Sequence, residues 1–161
     1  MKPIFTFVFA AIFSAAAATA QTVPADRPDS EAATQLAEGE LPFLDAREID
    51  VREYIWNHRL IVIMADTPDN PQFGQQLDEI RERAPEFVIR DVVVIFDGHP
   101  DEMSPLRRVM RPNGFMVAII DKDGEVKARR PSVRSGRELM AVIDKFPLRR
   151  QEILEQSPSG R

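Results

Sequence analysis

The chain contains no cysteine among its 161 residues. This absence excludes a thiol nucleophile, an internal disulfide and a cysteine-ligated metal site. Histidine is scarce too, with two residues, and the seven glycines form no glycine-rich phosphate-binding loop. No Ser/His/Asp series and no pair of carboxylates has the order or spacing of a catalytic group. The sequence therefore favours a protein that is not an enzyme and needs no cofactor or metal.

Charge is distributed unevenly along the chain, whose formal net charge is −5. Residues 21–50 hold eight acids against two bases, whereas residues 103–150 hold 12 bases against five acids. A general nucleic-acid-binding protein presents a strongly basic face, and an acidic extension opposes such binding. The distribution therefore argues against nucleic acid as a partner and favours an anionic partner for the basic region.

Residues 1–20 have the pattern of a signal peptide. Lys2 supplies a positive charge, residues 4–18 are uncharged and apolar, and residues 18–20 give the small-x-small cleavage pattern. A membrane anchor is the alternative, but a spanning helix needs roughly 20 strongly apolar residues, and this stretch is shorter. We expect export to the periplasm or secretion into the medium, with no membrane span after cleavage.

The next segment, residues 21–44, is acidic and is interrupted by Pro24 and Pro28. Most of it lacks aromatic and β-branched side chains, so it buries too little apolar surface to offset the entropy lost on ordering. We interpret residues 21–44 as a flexible linker, residues 45–156 as one folded domain and residues 157–161 as a disordered tail.

Apolar runs and turn residues predict alternating strands and helices in the folded domain. Runs typical of buried strands occupy residues 60–65, 87–96 and 115–120, and a more polar strand follows at residues 125–129. Helical spacing or capping residues predict helices at residues 45–56, 72–84, 104–110, 135–146 and 148–156, with Pro85 ending the second. Residues 121–124 (DKDG) predict a hairpin turn, because Asp-Gly tolerates positive φ angles.

This order of elements predicts an α/β domain. The first two strand–helix–strand passages require right-handed crossovers in a parallel sheet, and the hairpin adds an antiparallel edge. The layout is that of a thioredoxin-like three-layer sandwich, with a central mixed sheet of about four strands flanked by helices. A flavodoxin-like fold is the alternative, which the Asp123-Gly124 hairpin disfavours.

Four segments in this order resemble the family called domain of unknown function 4174. They are WNHRLIVI (56–63), RDVVV (90–94), DKDGEVK (121–127) and IDKFPLRRQE (143–152). The resemblance covers roughly residues 50–153 and implies a thioredoxin- or peroxiredoxin-like domain of exported bacterial and animal extracellular-matrix proteins, with no established activity. We expect structural roles for the signature residues Trp56, Arg59, Arg90, Asp91, Lys122, Asp123, Gly124, Lys127, Asp144, Pro147, Arg149 and Arg150.

In a redox-active thioredoxin-like protein, the nucleophilic thiol lies where the first core strand leads into its helix, where the helix dipole lowers its pKa. The equivalent loop here, residues 66–71, holds Asp66, Thr67 and Asp69 but no sulfur. We therefore expect no thiol peroxidase, disulfide reductase or isomerase activity, and regard these three residues as a candidate ligand-binding loop. The alternative is an ordinary turn, since no base lies near Thr67 in sequence. Pro112 lies too early to match the proline that precedes the third strand of thioredoxins.

Basic side chains of the second half are candidates for binding an anionic ligand or an envelope or extracellular protein. They are Arg107, Arg108 and Arg111, together with Lys127, Arg129, Arg130 and Arg134 of the hairpin and the loop after it. A solvated face is the alternative. We predict a non-enzymatic, thioredoxin-like binding module of the cell envelope that uses the hairpin region and has no thiol redox activity.

Other functions stay open. A cysteine-independent enzyme or a metal-binding protein would use the Asp66–Asp69 loop or the loop with Asp97, His99, Asp101 and Glu102. One imidazole on one loop is a weak ligand set, because a metal site needs three or four ligands in fixed geometry. A chaperone-like holdase would need an exposed apolar groove.

Overall fold

The computed structural model describes residues 39–157; the predicted signal peptide (1–20), most of the predicted linker and residues 158–161 lie outside this range. The described part forms one sheet of five strands: β1 (Phe43–Asp45), β2 (Arg59–Met64), β3 (Val92–Asp97), β4 (Met116–Ile120) and β5 (Val126–Arg130). Its α-helices are α1 (Pro71–Arg81), α2 (Ala84–Val88), α3 (Pro105–Met110), α4 (Gly136–Ile143) and α5 (Pro147–Gln156). Of the helices in this range, none combines the length and the apolar character needed to cross a bilayer.

The strand order across the sheet is β1-β3-β2-β4-β5. β1, β3 and β2 run parallel, whereas β4 pairs antiparallel with β2, and β5 pairs antiparallel with β4. The mixed sheet and the closing hairpin are thus confirmed, but the expected parallel crossover into β4 is wrong. α3 is about 9 Å long against strands of about 20 Å, and the loops before and after it, at Pro100 and Pro112, both stay beside Asp66 at the carboxyl ends of β2 and β3. The chain therefore re-enters the sheet from the end at which it left.

The fifth strand, β1, lies in the last part of the segment predicted as linker. Leu41 is buried in the core, and Phe43 pairs with Val94 of β3. The helix expected at residues 45–56 is wrong as well. This stretch is a loop with one 3-10 turn at Val51–Glu53, which Asp50 caps by accepting a hydrogen bond from the Arg52 N–H.

Contrary to our expectation, Pro85 lies inside a second short helix and does not directly follow the first. α1 ends at Arg81, and Pro85 lies in the first turn of α2. Proline is accepted there because the N–H group that it lacks has no partner in a first turn. The chain is therefore helical at Phe87, where we expected a strand, and β3 begins only at Val92.

Apolar side chains cover both faces of the sheet, and every residue of β2 is buried. On one face α1, α2 and α4 pack against the sheet through residues such as Ile80, Phe87 and Ile143. On the other face α3 packs through Leu106 and Met110. Helices on both sides give the three-layer sandwich predicted from the order of elements.

Candidate functional site

A crevice opens at the carboxyl ends of β2 and β3. The connection after β2 leads to α1 on one face of the sheet, and the connection after β3 leads to α3 on the opposite face. Two neighbouring parallel strands whose connections diverge in this way leave a gap between their loops, the usual ligand position in an open α/β sheet. The topology therefore directs attention to this end of the sheet.

The two loops that border the crevice touch at a glycine. A Cβ atom added to Gly98 would lie 3.0 Å from the Cα of Pro68 and 3.1 Å from its nitrogen. Only glycine permits this backbone approach without a shift of one loop. Gly98 thus fixes the spacing of the two loops.

Beneath the crevice lies a buried ion pair between Arg107 of α3 and Asp97 of β3. The Arg107 Nη2 atom donates to Asp97 Oδ1 at 3.0 Å and to the Ala65 carbonyl at 2.6 Å. The Ser104 hydroxyl donates to Asp97 Oδ2 at 2.8 Å and caps α3 by accepting from the Arg107 N–H. Burial raises the pKa of Asp97, but the hydrogen bonds from Arg107, the His99 amide and Ser104 outweigh it and keep the pKa below its usual value. The pair joins the ends of β2 and β3 to α3.

The crevice has a volume of about 540 Å³, and three of its seven lining residues are arginines. Its lining consists of Asp66, Pro100, Met103, Arg107, Arg108, Arg111 and Pro112. Within residues 39–157, neither Arg108 nor Arg111 has an acidic ion-pair partner, and both are exposed. These two guanidinium groups are therefore available to a ligand in the crevice.

Arg111 also has an unusual backbone conformation. It caps the end of α3 with φ of 46° and ψ of 61°, in the left-handed region. Helices usually place glycine at such a position, because a side chain there costs roughly 1–2 kcal/mol. Arginine at a position that favours glycine is the kind of local cost that proteins accept at functional sites.

Of the predicted ligand-binding loop, only Asp66 lies against the crevice. Thr67 Oγ1 accepts from the Asp69 N–H at 3.3 Å, and Asn70 caps α1 by accepting from the Gln72 N–H. These contacts are those of an ordinary turn and cap. The structure thus places Asp66 in the lining with Arg108 and Arg111, whereas Thr67 and the backbone N–H of Asp69 form the local turn.

The basic residues of the hairpin do not share one surface. Lys127 Nζ lies 2.6 Å from Asp123 and 2.7 Å from Glu125, which neutralise it. Arg129 reaches the Met110 sulfur at 3.6 Å on the α3 face of the sheet. Arg130 lies on the opposite face, where it lines a cavity of about 280 Å³ with Arg134 and Lys145. The structure brings Arg130 and Arg134 together and separates them from Arg129.

In the acidic loop at the end of β3, residues 97–102, two of the carboxylates are paired with arginines. Asp97 is buried against Arg107, and Glu102 forms an ion pair with Arg47 at 3.0 Å. No three His, Cys, Asp or Glu side chains of residues 39–157 are arranged to hold a metal ion. This loop offers no assembled ligand set in the described region.

Comparison with known proteins places the chain in a family. The family model for a domain of unknown function (DUF4174) matches residues 50–152. The chain belongs to the DUF4174 family. No curated protein matches it. The resemblance seen in the four sequence segments is thereby confirmed.

Solved thioredoxin structures share the fold of this DUF4174 domain. Chloroplastic thioredoxin z matches with a TM-score of 0.52 and 19% identity, over 66% of this chain and 93% of that chain. Thioredoxin f2, from its complex with ferredoxin:thioredoxin reductase, matches with a TM-score of 0.51 and 14% identity, over 66% and 96%. Likeness at these identities concerns the fold, and it confirms the thioredoxin-like architecture.

Several residues of the DUF4174 signature meet at the other end of the sheet, in an ion network around Arg59. Arg59 is fully buried; its Nε lies 2.9 Å from Asp121 Oδ1, and its terminal nitrogens donate to both Glu152 oxygens at 3.0 and 2.9 Å. Lys122 lies 2.9 Å from Glu152 and 2.7 Å from Asp91. The network ties α5 and the hairpin to the start of β2.

A second clamp of the signature joins α4 to the start of β3. Arg90 donates two hydrogen bonds to the Asp144 carboxylate, at 2.9 and 2.8 Å. Arg149 is also buried and lies 3.3 Å from Glu152. The pKa of Glu152 is raised by burial, but its bonds to Arg59 and Lys122 outweigh this and lower the pKa to about 2.

The remaining signature residues shape turns or lie exposed. Gly124 has φ of 80° in the hairpin turn, and Pro147 begins α5. Trp56 has φ of 75°, and its amide donates to the Lys122 carbonyl at 2.7 Å while 72% of the residue is exposed. Arg150 is exposed. Glu152 accepts most of the hydrogen bonds in the network. It belongs to the sequence segment 143–152 that resembles the family, but we did not include it among the residues with an expected structural role.

Proposed function

We propose that this DUF4174 domain is a non-catalytic binding module that holds an anionic group of its ligand in the crevice, without thiol chemistry. The observation that carries the proposal is the pair Arg108 and Arg111, which face the crevice without acidic partners in the described range. Planar guanidinium groups bind carboxylate or phosphate through two parallel hydrogen bonds, and such bonds are about twice as strong as neutral ones.

The buried pair below supports this proposal. Arg107 is held by Asp97 and the Ala65 carbonyl, so α3 is fixed relative to the loops at the end of β2 and β3. A fixed helix presents Arg108 and Arg111 in a defined geometry, which lowers the entropy that a ligand must offset on binding. Asp66 is the only acid in the lining, and its carboxylate would repel an anion placed next to it.

We also propose that the protein works outside the cytoplasm, as the signal-peptide pattern of residues 1–20 suggests. Mass spectrometry of the protein purified from an envelope or medium fraction tests this. The expected mature chain starts at Gln21. A chain that keeps Met1 and stays in the cytoplasmic fraction would contradict the proposal.

Anion binding is best tested by NMR titration of the full mature chain with inorganic phosphate in one arm and tetraglutamate in the other. We expect saturable shifts at the Arg108 and Arg111 side-chain Nε–H groups in at least one arm, weakening with salt. Replacing both residues with glutamine should weaken that binding at least about tenfold, the equivalent of ~1.4 kcal/mol.

Replacing Arg137 and Arg150 together with glutamine is the matched control, because this change removes the same number of charges and both residues are exposed and lie outside the crevice. It should alter the affinity less than about twofold, since it lowers the net charge without touching the site. Equal weakening in the control and in the Arg108 and Arg111 variant would mean that net charge alone attracts the anion. That result, or no saturable shift in either arm, would overturn the proposal.

A further inference from the structure

The cavity beside Arg130 lies between α4 and the two strands of the hairpin. Its volume of about 280 Å³ is close to the lower end of the ~300–1,000 Å³ that small-molecule sites usually have. It shares no lining residue with the crevice. The ten lining residues are Val117, Ile119, Ala128, Arg130, Arg134, Glu138, Leu139, Ala141, Val142 and Lys145. The cavity is therefore a second candidate site, of a size for a small ligand.

Aliphatic side chains form the floor of this cavity. Val117 and Ile119 of β4 and Leu139 of α4 are buried beneath it. Ala128 of β5 and Ala141 of α4 also line it, and their small side chains leave space between the strand and the helix. Of the ten lining residues, none is aromatic. Such a floor accepts a hydrocarbon chain, whereas it offers no hydrogen-bond partner to a sugar or a nucleotide base.

Two cationic side chains stand at the mouth of the cavity. Arg130 and Lys145 are both exposed and both line it. Arg130 donates a hydrogen bond to the Arg129 carbonyl, and within residues 39–157 neither Arg130 nor Lys145 forms an ion pair with an acid. Both charges are therefore available to a ligand whose apolar part lies on the floor.

The acids next to the cavity are already engaged. Glu138, the one acid of the lining, accepts from the Ser135 hydroxyl and the Ser135 N–H at 3.0 Å and lies 3.5 Å from Arg134. Asp144, which precedes Lys145, accepts two hydrogen bonds from Arg90. The lining thus holds three bases against one acid, and the acid is paired with one of the bases. The complementary ligand is apolar at one end and anionic at the other.

We propose that the cavity binds a single-chain amphiphile with one anionic head group, the chemistry shared by medium-chain fatty acids and alkyl phosphates. The hydrocarbon chain lies on Val117, Ile119 and Leu139, and the head pairs with the cations at the mouth. This site uses no residue of the crevice, so it does not depend on the function proposed above.

NMR titration of the full mature chain with hexanoate, octanoate, octyl phosphate and octanol tests the class of ligand. We expect saturable shifts at the Ala128 and Ala141 amides with octanoate or octyl phosphate, and the tighter of the two identifies the head group. Affinity should rise about fourfold for each methylene group added between hexanoate and octanoate. Octanol should bind at least about tenfold more weakly than the tighter anion, since it has no charge to pair. Equal binding of octanol, or no gain with chain length, would overturn the proposal.

Ala141→Leu tests the location, because a larger side chain there fills the cavity. Ala141 is exposed and leucine is a good helix former, so the domain should stay folded, which urea unfolding checks. We expect octanoate to bind at least about tenfold more weakly. Gln151→Leu is the matched control, since Gln151 is exposed on α5 outside the cavity; it should leave the affinity within about twofold. Equal affinities of these two variants would overturn the site.

Replacing Arg130 and Lys145 together with glutamine tests the pairing of the head. This change should weaken octanoate binding at least about tenfold, whereas the control with glutamine at Arg137 and Arg150 should stay within about twofold of wild type. Glutamine at both Arg108 and Arg111 should also leave octanoate binding within about twofold, whether or not the crevice binds anions. Loss of octanoate binding in that crevice variant, without loss in Ala141→Leu, would place the amphiphile in the crevice and overturn the proposal.

Discussion

Glu152→Gln tests whether the DUF4174 ion network holds the domain together. The carboxylate of Glu152 accepts from Arg59 at 3.0 and 2.9 Å and lies 2.9 Å from Lys122 and 3.3 Å from Arg149. Glutamine keeps the size and shape of the side chain but removes its charge. Its amide nitrogen would then face cationic donors, and the fully buried Arg59 would retain only Asp121 as an acidic partner.

The expected loss of unfolding free energy in Glu152→Gln follows from the pKa of the Glu152 carboxyl group. Folding lowers the pKa of Glu152 from 4.5 to about 2, which corresponds to about 3 kcal/mol of unfolding free energy at neutral pH. Breaking one partner of a buried ion pair costs a similar ~3–5 kcal/mol in other proteins. Since small domains have roughly 5–15 kcal/mol of stability in total, the loss is a large fraction of it.

Because folding lowers the pKa of Glu152, its contribution to stability decreases as the pH falls. Above pH 4.5, Glu152 is ionised in both the folded and the unfolded chain, and its full contribution to stability is present. As the pH falls from 4.5 towards 2, the unfolded chain binds the proton first, so the contribution decreases and is lost near pH 2. The stability difference between wild type and Glu152→Gln should shrink over this same interval.

Urea unfolding followed by circular dichroism at several pH values measures this difference. The matched control is Glu155→Gln, on the same helix, where Glu155 is exposed and, among residues 39–157, accepts only from Gln151. We expect the control to stay within about 0.5 kcal/mol of wild type. A loss for Glu152→Gln no larger than the control's at pH 7, or one that persists undiminished at pH 2, would refute the reasoning.

Three further predictions concern the crevice. Arg111→Gly should leave stability unchanged or raise it by up to about 1 kcal/mol, because relief of the left-handed backbone exceeds the entropy cost of glycine; a clear loss in urea unfolding would contradict this. Asp97→Asn should destabilise the domain by about 2–4 kcal/mol, since Arg107 loses its buried counter-charge; unfolding curves at pH 7 with Asp101→Asn as the exposed control measure it. Gly98→Ala should cost about 1–3 kcal/mol and shift the amide resonances of both crevice loops, because the new methyl group meets the Pro68 backbone; unchanged spectra would mean that the loops are not packed as described.

The extent to which the fold could be predicted depended on the length of each element. The apolar runs of β2 and β4 are five or six residues long and stand out in the sequence. β1 has three residues and takes its stability from pairing with β3, so no local pattern marks it. The direction of β4 is likewise set by the connection through α3, which stays at one end of the sheet, rather than by anything in the strand itself. Local patterns thus predicted the elements better than their arrangement.

The candidate site shows a similar division. The sequence placed Asp66 in the loop after the first buried strand and marked Arg108 and Arg111 as basic, and the structure adds that all three line one crevice. The burial of Arg107 against Asp97 joins residues ten apart through tertiary packing, which no spacing rule predicts. The division of Arg129 and Arg130 between two faces was predictable, however, because neighbouring side chains in a strand point to opposite sides.

The DUF4174 signature and the candidate site lie at opposite ends of the sheet, and this separates fold from function. Arg59 and Arg90 stand at or before the amino ends of β2 and β3, whereas Ala65 and Asp97 mark their carboxyl ends. Several of the signature residues bind one another or Glu152, so these contacts account for the packing of α5 and the hairpin rather than for a ligand. The chemistry of the domain must then be sought among residues outside that ion network. Arg108 and Arg111 meet this condition, since they contribute no described contact to the network and both line the crevice.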